Sequence, residues 1–354
     1  MTAEPVLEAR DLRRRYGDTV ALDGVSVTVE AGEVFGLVGP NGAGKTTLVR
    51  ALTGTTSVEG TVRLFGVEPT AVDRSRVGLL PQEFAPAGRL TVRELLAYYA
   101  GLYEEARSVE SVLDDVGLVE AADTWYEDLS GGQKRRACVG AALVNDPELL
   151  FLDEPTTGID PAGRRAVWEL VSSLADAGTA VVLTSHSMTE IERLSDRVGL
   201  LRDGELVAVG PPRRLVADHA GPARLVVELD TGERESADGS ATASESTAST
   251  TQTVVAAASD ALTAAGYTVA AGDAELAVED VTPDEIGNAV DALDAANVAY
   301  DSLTWTEPGL EDAYLRLTGE AFEGLRQPGA SVFGGDSDRQ PEAASGATTE
   351  EAQP

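Results

Sequence analysis

Residues 36–52 read GLVGPNGAGKTTLVRAL and place three glycines, a lysine and two threonines between two apolar runs. Glycine loses more conformational freedom on folding than any other residue, so such a concentration indicates a place that needs bare backbone. The first apolar run has the length of a buried strand, and a helix is expected from Lys45. The loop between them consists of Gly39, Pro40, Asn41, Gly42, Ala43, Gly44, Lys45 and Thr46.

This loop, called the phosphate loop below, matches the pattern G-x-x-x-x-G-K-[ST]. Without side chains, successive backbone N–H groups can point inward and wrap a polyphosphate. The helix that follows adds roughly half a positive charge at its N-terminus. Lys45 supplies a mobile cation for the β- and γ-phosphates, and the Thr46 hydroxyl is placed to ligate Mg²⁺. A plain glycine-rich turn between strand and helix is the alternative.

A carboxylate for the metal is provided by ELLFLDEP, residues 148–155. Four apolar residues put Asp153 at the end of a buried strand, with Glu154 beside it. Asp153 would hold Mg²⁺ through water, and Glu154 would face the γ-phosphate and polarise the attacking water. Paired acids after a strand are common, so this pair points to a nucleotide site only because Lys45 is also present.

The segment LSGGQ, residues 129–133, is a third pattern of this kind. Ser130 begins a helix, and Gly131 and Gly132 expose N–H donors at its N-terminus, which is a second anion-binding end. By itself the segment is better explained as a capped helix after a loop. Together with the phosphate loop and the Asp153–Glu154 pair, it resembles the nucleotide-binding subunit of an ATP-binding-cassette (ABC) transporter. The resemblance covers residues 6–215 in the family's motif order, and LSGGQ is that superfamily's signature.

The resemblance implies roles for four more residues. Tyr16 matches the aromatic residue that stacks on adenine, and Gln82 matches the glutamine that senses Mg²⁺ and attacking water and couples to the membrane partner. Asp160 matches the loop that crosses the dimer interface. His186 matches the switch histidine that contacts the γ-phosphate. An unrelated core or surface tyrosine, an ordinary loop glutamine and a structural histidine are the alternatives.

The same resemblance implies that ATP is shared between two chains, in a homodimer or a heterodimer with a related chain. Each ATP would lie between the phosphate loop of one subunit and Ser130–Gln133 of the other, and hydrolysis would open the pair. The implied nucleotide-binding set is Tyr16, Gly39, Pro40, Asn41, Gly42, Ala43, Gly44, Lys45, Thr46, Thr47, Ser130, Gly131, Gly132, Gln133 and Asp160. The implied catalytic set is Lys45, Gln82, Glu154 and His186, and the Mg²⁺ set is Thr46, Gln82 and Asp153.

The expected fold class is α/β: a P-loop NTPase (ABC ATPase) core at residues 1–217 with a helical subdomain at about 83–145, plus a small C-terminal α+β domain. That second domain is expected at 222–320, with a flexible linker at about 235–252. Residues 327–354 are expected to be a disordered acidic tail.

Local patterns predict several elements of the core. Residues 5–17 and 20–33 look like short edge strands. Residues 91–103 read as a helix capped by Thr91, with Glu94 at its third position. Asp203-Gly204 is expected to be the turn of a hairpin. The basic run Lys134–Arg136 is most simply a set of solvated or helix-face charges.

Charge bears on environment and partners. The formal net charge is −33, and the acidic residues are spread over both halves of the chain. Such a surface disfavours nucleic acid as a partner. It would also repel itself at low salt, a cost that ionic screening removes. We therefore expect a high-salt cytoplasm, as in halophilic microbes.

Residues 78–103 and 308–319 resemble the ABC-2-type, daunorubicin-resistance-like exporter ATPases. The implied protein is an ATPase in the cytoplasm, peripheral at the inner face of the cell membrane through an integral-membrane permease. No apolar run of membrane-spanning length is present, so a membrane role must come through such a partner. An importer ATPase, a soluble ABC protein of translation or DNA repair, and a catalytically dead subunit are the alternatives. The single cassette disfavours a translation factor, and intact Lys45 and Glu154 oppose a dead subunit.

Overall fold

The computed structural model describes residues 4–230, 245–272 and 275–319. The chain divides into two compact units, and the first contains the described residues up to 222 together with 307–319. The second contains the described residues between 223 and 306. No helix among the described residues is both long and apolar enough to cross a membrane.

A six-stranded sheet forms the centre of the first unit, in the order β5-β6-β7-β3-β8-β9. All neighbouring strands are parallel except β9, which is antiparallel to β8. Strands buried on both faces need continuous apolar sequence, and β3, β6 and β7 have it. The elements of this unit are β1 (Leu7–Tyr16), β2 (Thr19–Val29), β3 (Val34–Val38), α1 (Lys45–Leu52), β4 (Glu59–Leu64), β5 (Val77–Leu80), α2 (Val92–Ala100), α3 (Val109–Asp115), α4 (Gly131–Ala141), β6 (Leu149–Asp153), α5 (Pro161–Asp176), β7 (Ala180–Ser185), α6 (Met188–Leu194), β8 (Arg197–Arg202), β9 (Glu205–Gly210), α7 (Pro212–His219) and, after the second unit, α10 (Leu310–Thr318).

The register of the central strands brings their carboxyl ends together. Val38 at the end of β3 lies opposite Ser185 at the end of β7, and Asp153 at the end of β6 lies opposite Thr184. Ligands of open α/β sheets bind outside this edge. The loops that follow β3, β6 and β7 therefore start side by side.

Each face of the central sheet has its own apolar core, because successive residues of a strand point to opposite faces. Leu150 and Leu152 pack with the helical segment, which consists of α2, α3 and α4, whereas Phe151 packs with α1 and the N-terminal strands. Both cores are fully buried at these positions. The central sheet is therefore fixed from both sides.

The N-terminal strands correct one prediction from the sequence. β1 and β2 are ten and eleven residues long, so they are not short, and of the two only β2 is an edge strand. They form a separate antiparallel sheet with β4, in the order β2-β1-β4, so that β1 is central. The reason is β4, a strand that the sequence reading did not identify and that gives β1 its second partner.

Two local predictions are confirmed. The Thr91 hydroxyl accepts from the Glu94 N–H, and the Glu94 carboxylate accepts from the Thr91 N–H, which is a complete capping box at α2. β8 and β9 form the predicted hairpin. Its turn residues Asp203 and Gly204 have φ of 48° and 83°, as a two-residue turn with left-handed positions requires.

The last helix, α10, belongs to the first unit, whereas the sequence placed it in a C-terminal domain spanning 222–320. Leu310, Ala313 and Tyr314 are almost fully buried, and Leu310 and Tyr314 join the core beneath the helical segment. Their spacing makes one apolar face, which is the physical reason for the docking. The second unit is therefore inserted between α7 and α10.

The second unit is a four-stranded antiparallel sheet with two helices on one face. Its strand order is β11-β12-β10-β13, and Leu225, Val227 and Val278 from the sheet pack with Leu262 and Leu293 from the helices. The elements are β10 (Arg224–Leu229), α8 (Glu245–Ala264), β11 (Thr268–Ala271), β12 (Glu275–Glu279), α9 (Ile286–Ala295) and β13 (Tyr300–Thr306).

Part of the expected linker at 235–252 is therefore helical, since α8 begins at Glu245. The remainder of that linker, residues 235–244, lies outside the described residues. The same holds for the tail expected at 327–354.

Candidate active site

The phosphate loop joins β3 to α1, as predicted, and its backbone needs glycine. Gly42 and Gly44 have φ of 84° and 108°, which residues with a side chain rarely adopt. A Cβ on Gly44 would also lie 2.4 Å from the carbonyl oxygen of Ala21 on β2. The loop is thus held against the N-terminal sheet by a contact that only glycine permits.

Lys45 is the first residue of α1, and its side chain is buried. Its Nζ donates to the carbonyl oxygens of Gly39 at 2.7 Å and Pro40 at 3.1 Å. Burial lowers the pKa of the Lys45 ammonium, and the charges of Glu154 and Asp153 oppose that shift. A cation, two carboxylates and the phosphate loop therefore share one electrostatic environment.

The acidic pair sits at the end of β6. Asp153 is 3% exposed, and its Oδ1 accepts from the Thr184 hydroxyl at 2.5 Å. The N–H of Glu154 donates to the Oγ1 of Thr184 at 3.0 Å. Thr184 of β7 therefore fixes both acids. Glu154 itself has φ of 50°, a left-handed conformation that costs a non-glycine residue about 1–2 kcal/mol.

The Glu154 carboxylate gathers two other predicted residues. Its Oε2 accepts from Gln82 Nε2 at 3.3 Å and from the Thr157 hydroxyl at 3.1 Å. His186 Nδ1 lies 3.6 Å from the same oxygen. Gln82 follows β5 and His186 follows β7, so two separate loops converge on Glu154.

Ser130 and Gln133 form a complete capping box at the start of α4. Asp160 caps α5 in the same region, since its carboxylate accepts from the N–H groups of Ala162 and Gly163. A Cβ on Gly132 would lie 2.7 Å from Asp160 Oδ1, so the first turn of α4 packs closely against the residue that caps α5. Among the described residues no hydrogen bond joins Ser130–Gln133 to the phosphate loop of the same chain.

Tyr16 ends β1 with its side chain 44% exposed. The Arg14 guanidinium lies 4.7 Å from its ring centroid. The pKa of the Tyr16 phenol is lowered chiefly by a hydrogen bond with Thr56, with smaller contributions from Arg14 and Thr47. Tyr16 thus lies beside Thr47 in the first turn of α1, with an exposed ring available to a planar ligand.

The basic run after the signature corrects another prediction, because its three side chains are not simply solvated or helix-face charges. Lys134 Nζ donates to the Glu127 carbonyl, and Arg136 donates to the carbonyls of Val116 and Gly117. Arg135 reaches the turn that contains Glu154. Contacts between a helix side chain and a loop that is distant in sequence leave no local pattern in the sequence.

Glu190 is a buried residue that sequence reasoning missed. It is 1% exposed, and its carboxylate accepts from the hydroxyls of Thr156 and Ser185 and from the indole N–H of Trp168. The Ser185 hydroxyl accepts in turn from the Ser187 N–H. Glu190 therefore ties the segment after Glu154 to both neighbours of His186. Its place four residues after His186 on an amphipathic helix was the available signal.

Comparison with known proteins agrees with this geometry. Residues 22–157 match the family model described as ABC transporter. A Nod factor export ATP-binding protein I from Burkholderia lata is 42% identical over 225 residues, which cover 61% of this chain and 74% of that protein. The linearmycin resistance ATP-binding protein LnrL of Bacillus subtilis is 40% identical over 214 residues, with coverages of 58% and 69%.

Solved structures share the fold. The ATP-binding subunit of an ABC transporter superposes with a TM-score of 0.55 at 25% identity, over 60% of this chain and 92% of the other. An ATP-binding cassette in its ADP conformation gives 0.54 at 24% identity, over 61% and 96%. The predicted α/β P-loop NTPase core is thereby confirmed. The chain belongs to the ATP-binding proteins of ABC transporters, and it is an ATPase.

Proposed function

We propose that this chain is the ATP-hydrolysing subunit of an ABC-2-type membrane exporter and that two such subunits close around ATP. The observation that carries the proposal is the convergence of Lys45, Asp153, Glu154, Gln82 and His186 at the carboxyl edge of the central sheet. These residues lie at or after the carboxyl ends of four strands, β3, β5, β6 and β7, and together they supply a cation, acids, an amide and an imidazole.

The phosphate loop suits the β- and γ-phosphates of ATP. Its left-handed glycines turn the backbone, and α1 contributes the positive end of its dipole. Lys45 Nζ, held by two carbonyl oxygens, has a third donor for a phosphate oxygen. The exposed ring of Tyr16, adjacent to Thr47, is the proposed platform for adenine.

The acidic edge suits Mg²⁺, which prefers oxygen ligands and keeps several waters. Asp153 offers a carboxylate already oriented by Thr184, and Thr46 and Gln82 are the other proposed ligands. Bound Mg²⁺ would neutralise charge on the phosphates during transfer.

Glu154 is the proposed general base for water. Its Oε2 receives the Gln82 amide and the Thr157 hydroxyl, so the carboxylate has a fixed position. A positioned general base contributes typically about 10²–10⁴-fold to rate. His186, 3.6 Å away, is proposed to contact the γ-phosphate beside it.

A second chain is proposed because the signature does not face the phosphate loop of its own chain. Ser130 and Gly131 are exposed at the start of α4, and a Cβ on Gly131 would lie 3.2 Å from the Gly158 carbonyl oxygen, in the loop before Asp160. Each motif occurs once in the sequence. A head-to-tail pair would complete both sites, and we expect a homodimer.

Export is supported by the relatives, among them an export ATP-binding protein and a resistance ATP-binding protein. The resemblance of residues 78–103 to ABC-2-type exporter ATPases points the same way. We infer a location at the inner face of the membrane, through the permease.

A groove beside Gln82 is the proposed docking site for a cytoplasmic segment of that permease. The groove has a volume of about 270 Å³, and its apolar lining includes Leu79, Phe84, Tyr99 and Leu102. Leu102 is 63% exposed, far more than a leucine inside a core. Leu79 lies on β5, which leads directly to Gln82, so an occupant would touch the loop that reaches Glu154.

We predict that Leu102→Glu greatly reduces co-purification with the proposed permease subunit, because the charge would lie in an apolar contact. Val119→Glu is the matched control, since Val119 is 57% exposed and does not line the groove. Undiminished capture by Leu102→Glu, or equal loss in both variants, would contradict this docking site.

The acidic composition supports a proposal on environment. We infer that the protein works in a cytoplasm of high salt, where its formal charge of −33 is screened. The same charge opposes nucleic acid as a partner.

A further inference from the structure

Arg135 carries an inference beyond the roles assigned above. It lies on α4, two residues after the end of the LSGGQ signature, yet its guanidinium contacts the turn at the end of β6. Nη2 donates to the carbonyl oxygens of Asp153 at 2.7 Å and Glu154 at 2.8 Å. Nε donates to the carbonyl of Pro155 at 3.1 Å. One side chain thus binds three consecutive carbonyls.

The environment of Arg135 is unusual for a cation. Burial lowers the pKa of its guanidinium, and no ion pair with a carboxylate involves it among the described residues. A desolvated cation needs compensating hydrogen bonds, and here backbone carbonyls provide them. The planar fork of arginine can meet several carbonyls at once, which lysine, with a point charge, does less well.

The bound turn is strained in a way that requires such support. Glu154 holds a left-handed φ of 50°, and a strained backbone persists only where its surroundings determine it. Thr184 binds the N–H of Glu154, and Arg135 binds its carbonyl and those on either side. Thr184 and Arg135 therefore hold the peptide units on both sides of Glu154, the proposed general base.

We propose that Arg135 is a positioning residue for ATP hydrolysis: it fixes the backbone of Glu154 and so aims the Glu154 carboxylate at the attacking water. This rests on the proposed role of Glu154 as the base. Arg135 does not itself touch the nucleotide, so nucleotide affinity should depend on it little. Displacement of a reacting group by about 1 Å can cost roughly 10²-fold in rate.

The test compares Arg135→Met with Arg136→Met in the full chain. Arg136 is adjacent on α4 and also binds two carbonyls, those of Val116 and Gly117, which are remote from the acidic edge. Arg135→Met should lower kcat by about 10- to 100-fold and change KM for ATP less than about threefold. Arg136→Met should keep kcat within about twofold of the wild-type value, even if its Tm falls as far as that of Arg135→Met.

Two further measurements separate positioning from stability. Arg135→Lys should recover part of the lost kcat, because its ammonium can still bind some of the carbonyls. Arg135→Met should add no further loss in a Glu154→Gln background, since the positioned group is already absent. If Arg135→Met does not fold, Arg135→Lys against Arg136→Lys gives the same comparison.

Three results would overturn the inference: an unchanged kcat in Arg135→Met, an equal loss in Arg136→Met, or full additivity with Glu154→Gln. Absence of hydrolysis in the wild-type chain would instead contradict the proposed function, so the two failures are distinguishable.

Discussion

Gly44 shows how a single residue can decide whether the phosphate loop forms. Its φ of 108° and the 2.4 Å approach of a would-be Cβ to Ala21 both exclude a side chain. The motif pattern alone predicted that glycine is required at this position, because the pattern places a glycine directly before Lys45. The specific reason, contact with β2, depends on long-range packing and was not visible in the sequence.

We predict that Gly44→Ala weakens Mg-ATP binding at least about tenfold and lowers the free energy of unfolding by about 1–3 kcal/mol, because its backbone must strain. Gly287→Ala in α9 is the matched control. Gly287 has open space around its Cβ position and no positive φ, so alanine there should be neutral or stabilising by up to about 1 kcal/mol. Isothermal titration calorimetry and urea unfolding measure both quantities. Wild-type affinity in Gly44→Ala would refute this explanation.

The site residues differ in whether the sequence alone could identify them. Local patterns identify Lys45, Asp153 and Ser130, since Lys45 and Ser130 lie at the start of a helix and Asp153 lies at the end of a strand. Arg135 and Glu190 act through contacts with residues that are distant in sequence or on another element. A single sequence carries no signal for the contacts of Arg135, so the run Lys134–Arg136 looked like surface charge.

Elements with complete local signals were predicted well. The Thr91–Glu94 capping box and the Asp203-Gly204 turn each contain all the chemistry that fixes their geometry. β1 is different, because its place in a sheet depends on β4, whose residues Glu59–Leu64 have little apolar content. Strand partners are chosen by tertiary packing, which explains why β1 was misplaced as an edge strand.

Cys138 on α4 and Tyr126, which precedes that helix, give a prediction on how stability depends on pH. Burial raises the pKa of the Cys138 thiol and of the Tyr126 phenol, and the two groups lie 3.3 Å apart. In the unfolded chain they lose their protons near their ordinary values of 9.0 and 10.0. Their contribution to stability is therefore complete below about pH 8 and is lost as the pH rises through the folded-state values.

We predict that the free energy of unfolding falls from about pH 8.5 to 10.5, and falls less steeply in Tyr126→Phe and Cys138→Ala. Urea unfolding at a series of pH values measures the slopes. Tyr103→Phe is the control for a lost phenol elsewhere in the helical segment. Equal slopes in all four proteins would contradict burial as the cause.

At the scale of the whole molecule, charge and domain insertion dominate. The net charge of −33 was legible from composition, and the α/β class of the first unit was legible from its strand and helix patterns. The assignment of α10 to the first unit was not, because its apolar face has the same pattern whichever core it joins. Sequence order placed it after the second unit, and burial of Leu310 and Tyr314 places it in the first.

We predict that Tm rises as KCl increases from about 0.1 M to above 1 M, because the Debye length falls from about 10 Å to 3 Å and screens self-repulsion. Differential scanning calorimetry at fixed pH checks this. The Tm should also be measured in sodium sulfate. If exclusion of salt from the protein surface were the cause, instead of charge screening, Tm would rise in sulfate but not in KCl. A Tm that is highest near 0.1 M KCl would contradict the high-salt proposal.

The most direct measurement of the central claim is ATP turnover and oligomeric state in molar KCl with Mg²⁺, for the wild type, Glu154→Gln and Lys45→Ala. We predict turnover in the wild type, a loss of about 10²-fold or more in Glu154→Gln with an ATP-dependent dimer on light scattering, and no ATP binding by Lys45→Ala. Unchanged turnover in Glu154→Gln, or retained micromolar affinity in Lys45→Ala, would contradict the account.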